Sequence, residues 1–204
     1  WKYEHNFMKN ECFLPPGEDA SCPYFWPIGN RYIFLFFSHT TGSQYLLGDY
    51  NKEEHCFYPT FHGRFNFMSF LPGGVHAPSA TSDGEGGVIV IHNMHTGKKS
   101  PGWRGITTLP RKLTLDKCDT INIQPYGDYK SLRTHHQHID KTHLPANKEI
   151  IIDNIQGNAL EIKAEINIKS SPMIEMNVLR SPDKEEFTSI KFFFCHFSKI
   201  EGLT

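Results

Sequence analysis

The stretch Gly102-Trp103-Arg104-Gly105-Ile106-Thr107-Thr108-Leu109-Pro110-Arg111-Lys112-Leu113-Thr114-Leu115 decides how the rest of the chain is read. Residues 105–109 form a short run with strand character, set between the turn residue Gly102 and the break at Pro110. Upstream, residues 32–37, 44–48, 63–67 and 87–92 repeat the pattern: runs rich in Ile, Val, Phe and Tyr, separated by Gly, Pro and Asn. Short strands at regular spacing with turn chemistry between them point to a propeller, a sandwich or a barrel. Asp83-Gly84-Glu85-Gly86-Gly87 predicts a tight hairpin connection. Before residue 125 no window shows helical periodicity.

From residue 116 to 144 the character changes to that of a connector, with Pro125, Gly127, a short helical turn expected near 129–133, and the histidine run His135-His136-Gln137-His138. Beyond it, residues 149–153, 159–166 and 173–179 alternate polar and apolar. Leu160, Ile162, Ala164 and Ile166 would line one face and Glu161, Lys163 and Glu165 the other, as in a sandwich sheet with one wet side. The aromatic tail Phe192-Phe193-Phe194-Cys195-His196-Phe197 reads as a core strand in need of partners.

With 204 residues, 38% of them hydrophobic and 13% aromatic, the chain can build a core and is not expected to be disordered. A formal net charge of −1 lacks the basic face that nucleic acid requires. No apolar run approaches the roughly 20 residues that cross a bilayer. Cys12, Cys22, Cys56, Cys118 and Cys195 are odd in number and show no CxxC spacing, which argues against a disulfide framework or zinc ribbon and tilts the compartment toward the cytoplasm. His135, His136, His138, His143 and Asp140 invite a metal reading. Neighbouring histidines on an extended segment point to opposite faces, however, so no metal is expected. No cofactor motif is present.

Three segments in order resemble invertase-type glycoside hydrolases of family 32. The 102–115 stretch is similar to that family's GWxGxxxLPRxLxL segment, which closes the last propeller blade. Gly48-Asp49-Tyr50-Asn51 resembles its GDYD strand end, and His76-Ala77-Pro78-Ser79 stands where the family carries YAPQ. The resemblance implies an all-β chain: later blades of a five-bladed propeller over residues 1–125, a connector over 126–145, and the beginning of a β-sandwich over 146–204. It implies that the chain, starting at Trp1, begins after two of three catalytic carboxylates, the nucleophile and the RDP aspartate, since neither motif occurs. Trp103 is expected in the blade-closing core.

The family's general acid/base is the Glu of an ECPD motif. In Ala20-Ser21-Cys22-Pro23-Tyr24 the Cys and Pro match, but Ser21 stands at the acid position and Tyr24 replaces Asp. A serine hydroxyl cannot protonate a leaving oxygen as a raised-pKa carboxylic acid can. Glu18 and Asp19 are the candidate replacements, or else solvated turn residues after Pro15-Pro16-Gly17. His76, His92, Asn93 and Asp49 are the candidate substrate-binding residues. His92 and Asn93 stand where the family carries pocket tryptophans, and Asp49 equally fits an Asx-type turn. The expected partner is a small carbohydrate. The function implied is hydrolysis of β-fructofuranosides such as sucrose or short fructans, with the isolated chain inactive. The alternatives are a carbohydrate-binding propeller that has lost catalysis, or a related arabinan or xylan glycosidase.

Overall fold

The computed structural model describes residues 1–9, 13–66, 74–95, 101–103, 105–168 and 171–194. The sequence readings that fall on Cys12, Phe67, Arg104, Cys195, His196 and Phe197 lie outside them. Two compact units are present, Trp1–Leu132 and Arg133–Thr204. Among the described residues every regular element is a strand except one 3-10 turn, Tyr129–Leu132. The chain is all-β.

The first unit consists of two antiparallel meanders. β1 (Ser21–Ile28), β2 (Arg31–Ser38), β3 (Gly42–Asn51) and β4 (Cys56–Arg64) form a four-stranded sheet in sequence order. The second sheet runs β5 (Gly74–Ser82), β6 (Val88–His95), then a third strand in two pieces, β7 (Ile106–Thr107) and β8 (Arg111–Leu115), and finally β9 (Ile121–Pro125). β7 and β8 both pair with β6, at Asn93↔Thr107 and at Val90↔Arg111. Pro110 separates them, because it has no N–H to give to a ladder. Thr108 bridges the gap by donating its N–H to the His92 carbonyl at 2.8 Å and accepting the His92 N–H on its hydroxyl at 3.0 Å. Ile106–Thr107 and Arg111–Leu115 are thus two pieces of one interrupted strand, and each sheet is a four-stranded meander, the form of a propeller blade. Residues 116–125, expected in a connector, instead close the β8–β9 hairpin.

The sheets pack through Ile28, Ile33, Leu35 and Leu47 on one side and Val88, Val90 and Leu113 on the other, all essentially buried. The opposite face of the first sheet, with Phe36, Leu46 and Phe57, is covered by Met8, Phe13 and Leu14 from the N-terminal segment. Burial on both faces explains why residues 32–37 are almost continuously apolar instead of alternating. Trp26 donates its indole N–H to the Ala80 carbonyl across the interface at 3.2 Å. Gly29, at φ 57° in the two-residue β1–β2 turn, donates its N–H to the Gly86 carbonyl at 2.7 Å. Trp103 does not join this core. It is 49% exposed.

Among the described residues the second unit contains one hairpin, β10 (Met173–Val178) paired with β11 (Thr188–Phe193). Residues 149–153 and 159–166, read as strands from their alternation, form none, and Leu160, Ile162 and Ile166 stay 41%, 48% and 39% exposed. Alternation marks a strand only where a neighbouring strand takes up its backbone groups and a second layer covers its apolar face. Here the described residues supply neither. Arg133 instead grips Glu161 bidentately, at 2.7 and 2.5 Å, and Arg180 pairs with Glu149.

Candidate functional site

The site is the edge of the first unit where β1 begins, β2 ends, β3 begins, β5 begins and β6 ends. Two segments reach it through the same backbone device. In β1 the register with β2 slips between Ser21 and Tyr24, where Cys22 has φ 52° and is followed by Pro23. In β5 the register slips between His76 and Pro78, where Ala77 has φ 47°. A bulge of this kind bends a strand and redirects the side chain before it. A non-glycine residue at positive φ costs about 1–2 kcal/mol, strain that concentrates at functional sites. Ala20, at φ 37°, adds a third such residue beside Ser21.

Around Ser21 the loop is held by its acids. The Ser21 hydroxyl donates to Asp19 Oδ2 at 3.0 Å, His39 donates its backbone N–H to Asp19 Oδ1 at 3.3 Å, and the His39 Nδ1 meets Asp19 Oδ2 in a very short contact. These donors, His39 foremost, lower the Asp19 pKa from 3.8 to about 2, so its carboxylate stays ionised. Glu18 turns the other way. Its Oε2 accepts from the Thr41 hydroxyl at 3.2 Å, next to buried Gln44, whose amide donates to Thr41 Oγ1 at 2.6 Å. Gln44 Oε1 in turn meets His62 Nε2 at 2.7 Å. Burial and the Arg64 cation lower the His62 pKa.

The second segment meets the first through aromatic rings. Phe37, across from Ser21 in the ladder, has its ring 5.0 Å from His39 and 5.1 Å from His76. His76 is 7% exposed and lies across the β5–β6 ladder from Asn93, which is exposed. His92 is 1% exposed, with its ring 4.9 Å from Phe65. Neither of its ring nitrogens has a hydrogen-bond partner among the described residues. Burial, followed by the Arg111 and His76 charges, lowers its pKa to about 4, so the imidazole is neutral at physiological pH.

Of the residues singled out from sequence, Glu18, Asp19, Ser21, His76, His92 and Asn93 therefore gather on this edge. Asp49 does not. It lies at the far end of β3, where its Oδ1 pairs with Arg31 Nε at 2.8 Å. The Asx-type turn read at Asp49 is made by Asn51, whose Oδ1 accepts the N–H groups of Glu53 and Glu54. Sequence reading missed His39, Thr41, Gln44 and His62. Residues 38–41 form the β2–β3 turn, in which the Ser38 hydroxyl accepts from Thr40 and Thr41 N–H. That turn chemistry is the only local signal for His39. In the second unit, His138 lies 3.6 Å from Asp140, both exposed, and no three metal-ligating side chains converge among the described residues.

No protein-family model matches the chain, and no curated protein matches it. Among solved structures it is similar to the crystal structure of fructan 1-exohydrolase IIa from Cichorium intybus, with 18% identity and a TM-score of 0.44 over 57% of this chain and 26% of that one. It is also similar to a structure of a glycoside hydrolase family 32 protein from Bifidobacterium adolescentis, with 15% identity and a TM-score of 0.43 over 55% of this chain and 19% of that one. The chain spans about a quarter and about a fifth of their lengths.

Proposed function

We propose that this chain is part of a retaining glycoside hydrolase acting on β-fructofuranosides such as sucrose or short fructans, and that it does not turn over substrate by itself. The observation that carries the reading is the meeting of the 20–23 and 76–79 segments, far apart in sequence, at one edge through Phe37. Both segments were picked out by their resemblance to the same family.

The chemistry at this edge supports the following roles. A retaining mechanism needs a proton donor and a nucleophile about 5 Å apart on opposite sides of the scissile bond. The Ser21 hydroxyl cannot give up its proton to a leaving oxygen at neutral pH, and Asp19 is held ionised by His39 and Ser21. Glu18 is therefore the acid/base, positioned by the Thr41 hydroxyl. Glu18 and Asp19 share one loop and cannot flank a bond from both sides, so they do not together form the acid and nucleophile pair. His76 and Asn93 offer hydrogen bonds to sugar hydroxyls.

The test is fructose release from sucrose and short fructans by the longer protein. Glu18→Gln should cut kcat by about 10²–10⁴-fold, the usual contribution of a positioned acid/base. If a folded protein releases no fructose from any β-fructoside, the reading fails. A second reading, a carbohydrate-binding propeller that has lost catalysis, is favoured by Ser21 at the acid position and by histidine and asparagine in place of tryptophans. Under that reading Glu18→Gln leaves sugar binding unchanged and Ser21→Glu creates activity.

A further inference from the structure

The Asp49 found away from the candidate edge leads to a second concavity. Near the β8–β9 turn a cavity of about 200 Å³ opens between Arg31, Thr60, Phe61, Asp119, Thr120 and Ile121. Its polar wall is built of paired groups. The Arg31 side chain is 14% exposed and fixed by four acceptors: Asp49 Oδ1 at 2.8 Å, Asp119 Oδ2 at 2.5 Å, the Thr60 hydroxyl at 2.5 Å and the Gly48 carbonyl at 3.4 Å. The Asp119 backbone, at φ 57°, is set by Asp116, which accepts the N–H groups of Cys118 and Thr120 at 2.8 and 2.9 Å. Opposite stands Phe61, a large apolar ring left 51% exposed, 6.2 Å from the Tyr45 ring.

We propose that this cavity binds a neutral sugar ring, as a second carbohydrate site separate from the candidate catalytic edge. Charge decides the class of ligand. The Arg31 guanidinium is paired with both Asp119, which lines the cavity, and Asp49, which does not, so no uncompensated positive charge is left for a phosphate or a carboxylate. A single carboxylate lining the cavity is too few ligands for a hard divalent cation, which takes six or more oxygens. What remains is a polyol. Guanidinium N–H groups not engaged by these four acceptors and the second Asp119 oxygen would present a donor and an acceptor to a pair of hydroxyls. The exposed Phe61 ring covers the apolar C–H face of the sugar. The volume lies below the roughly 300 Å³ of drug-sized clefts and suits one ring, not an oligosaccharide.

The test is titration of the isotopically labelled chain with fructose, glucose and glucose 6-phosphate, read from amide and side-chain shifts. Saturable shifts at Thr60, Phe61, Thr120 and Ile121 with the neutral sugars are expected. Phe61→Ala should weaken them at least tenfold, and Phe61→Trp should restore or tighten binding, which a merely structural role for the ring would not do. Shifts at Ser21, His39 and His76 report the catalytic edge separately, so failure of either site is distinguishable from failure of the other. No shift at the Phe61 cavity, equal binding by Phe61→Ala, or preference for the phosphorylated sugar would each overturn the proposal.

Discussion

His92 gives the sharpest quantitative expectation. Its imidazole is 1% exposed, its nitrogens find no partner among the described residues, and its pKa falls from 6.5 to about 4 in the folded chain. Between those values the unfolded chain binds a proton that the folded chain refuses, so stability rises with pH across this window. The contribution is fully present above pH 6.5 and is lost as the pH falls through about 4. The fall from 6.5 to about 4 corresponds to about 3 kcal/mol, of which about 2 kcal/mol disappears between pH 7 and pH 5. The lowered pKa of His62 acts in the same direction. The lowered carboxylates Asp19 and Asp83 have pKa values of about 2, and their effect falls mainly below this window. Urea unfolding at pH 7, 6 and 5 checks the claim. The midpoint should fall steadily in the native chain and much less in His92→Leu, which replaces the imidazole with an apolar side chain of similar size. A native chain equally stable at pH 7 and pH 5, or a His92→Leu variant with an unchanged slope, would show that His92 is not the source of the pH dependence.

The other expectations concern separate parts of the molecule. In an NMR titration the Asp19 carboxyl should have its midpoint near pH 2, and His39→Gln should return it toward 3.8; an Asp19 midpoint that does not move would remove His39 as the cause. Gly48→Ala should destabilise the first unit by about 3 kcal/mol in thermal or urea unfolding, because a Cβ there would sit 2.2 Å from the Tyr58 carbonyl and 2.7 Å from Pro59 Cα, main-chain atoms that cannot step aside. Asp83→Ala should lower the thermal midpoint by freeing the turn, since Asp83 accepts the N–H groups of Glu85 and Gly87 at 2.7 and 2.8 Å and pairs with Lys112 at 2.6 Å. A midpoint unchanged from the native chain would show that the glycines alone hold that turn.

Composition and strand punctuation made the all-β class legible, and the turn at 83–87 was readable from its glycines. β9 was harder to read, because Ile121-Asn122-Ile123-Gln124-Pro125 is too short and too polar to stand out from a loop. The strands expected at 149–153 and 159–166 show the opposite error. Their alternation is real, but periodicity says which face would be apolar and not whether another layer covers it. At the site, motif order found Ser21 and His76, whose bulges each rest on a residue followed by proline. His39 could not be found in this way. Its role depends on the β2–β3 turn folding back onto Asp19, a contact across twenty positions that no local pattern encodes.

The edge joining Asp19, Phe37 and His76 is the proposed seat of a substrate's fructosyl group. It is tested most directly by titrating the labelled chain with 1-kestose, a short fructan, and reading which residues respond. Saturable shifts clustered at Ser21, His39, His76 and Asn93, weakened by His76→Ala, are expected. Silence at all four residues, with the chain folded and the sugar in large excess, would contradict it.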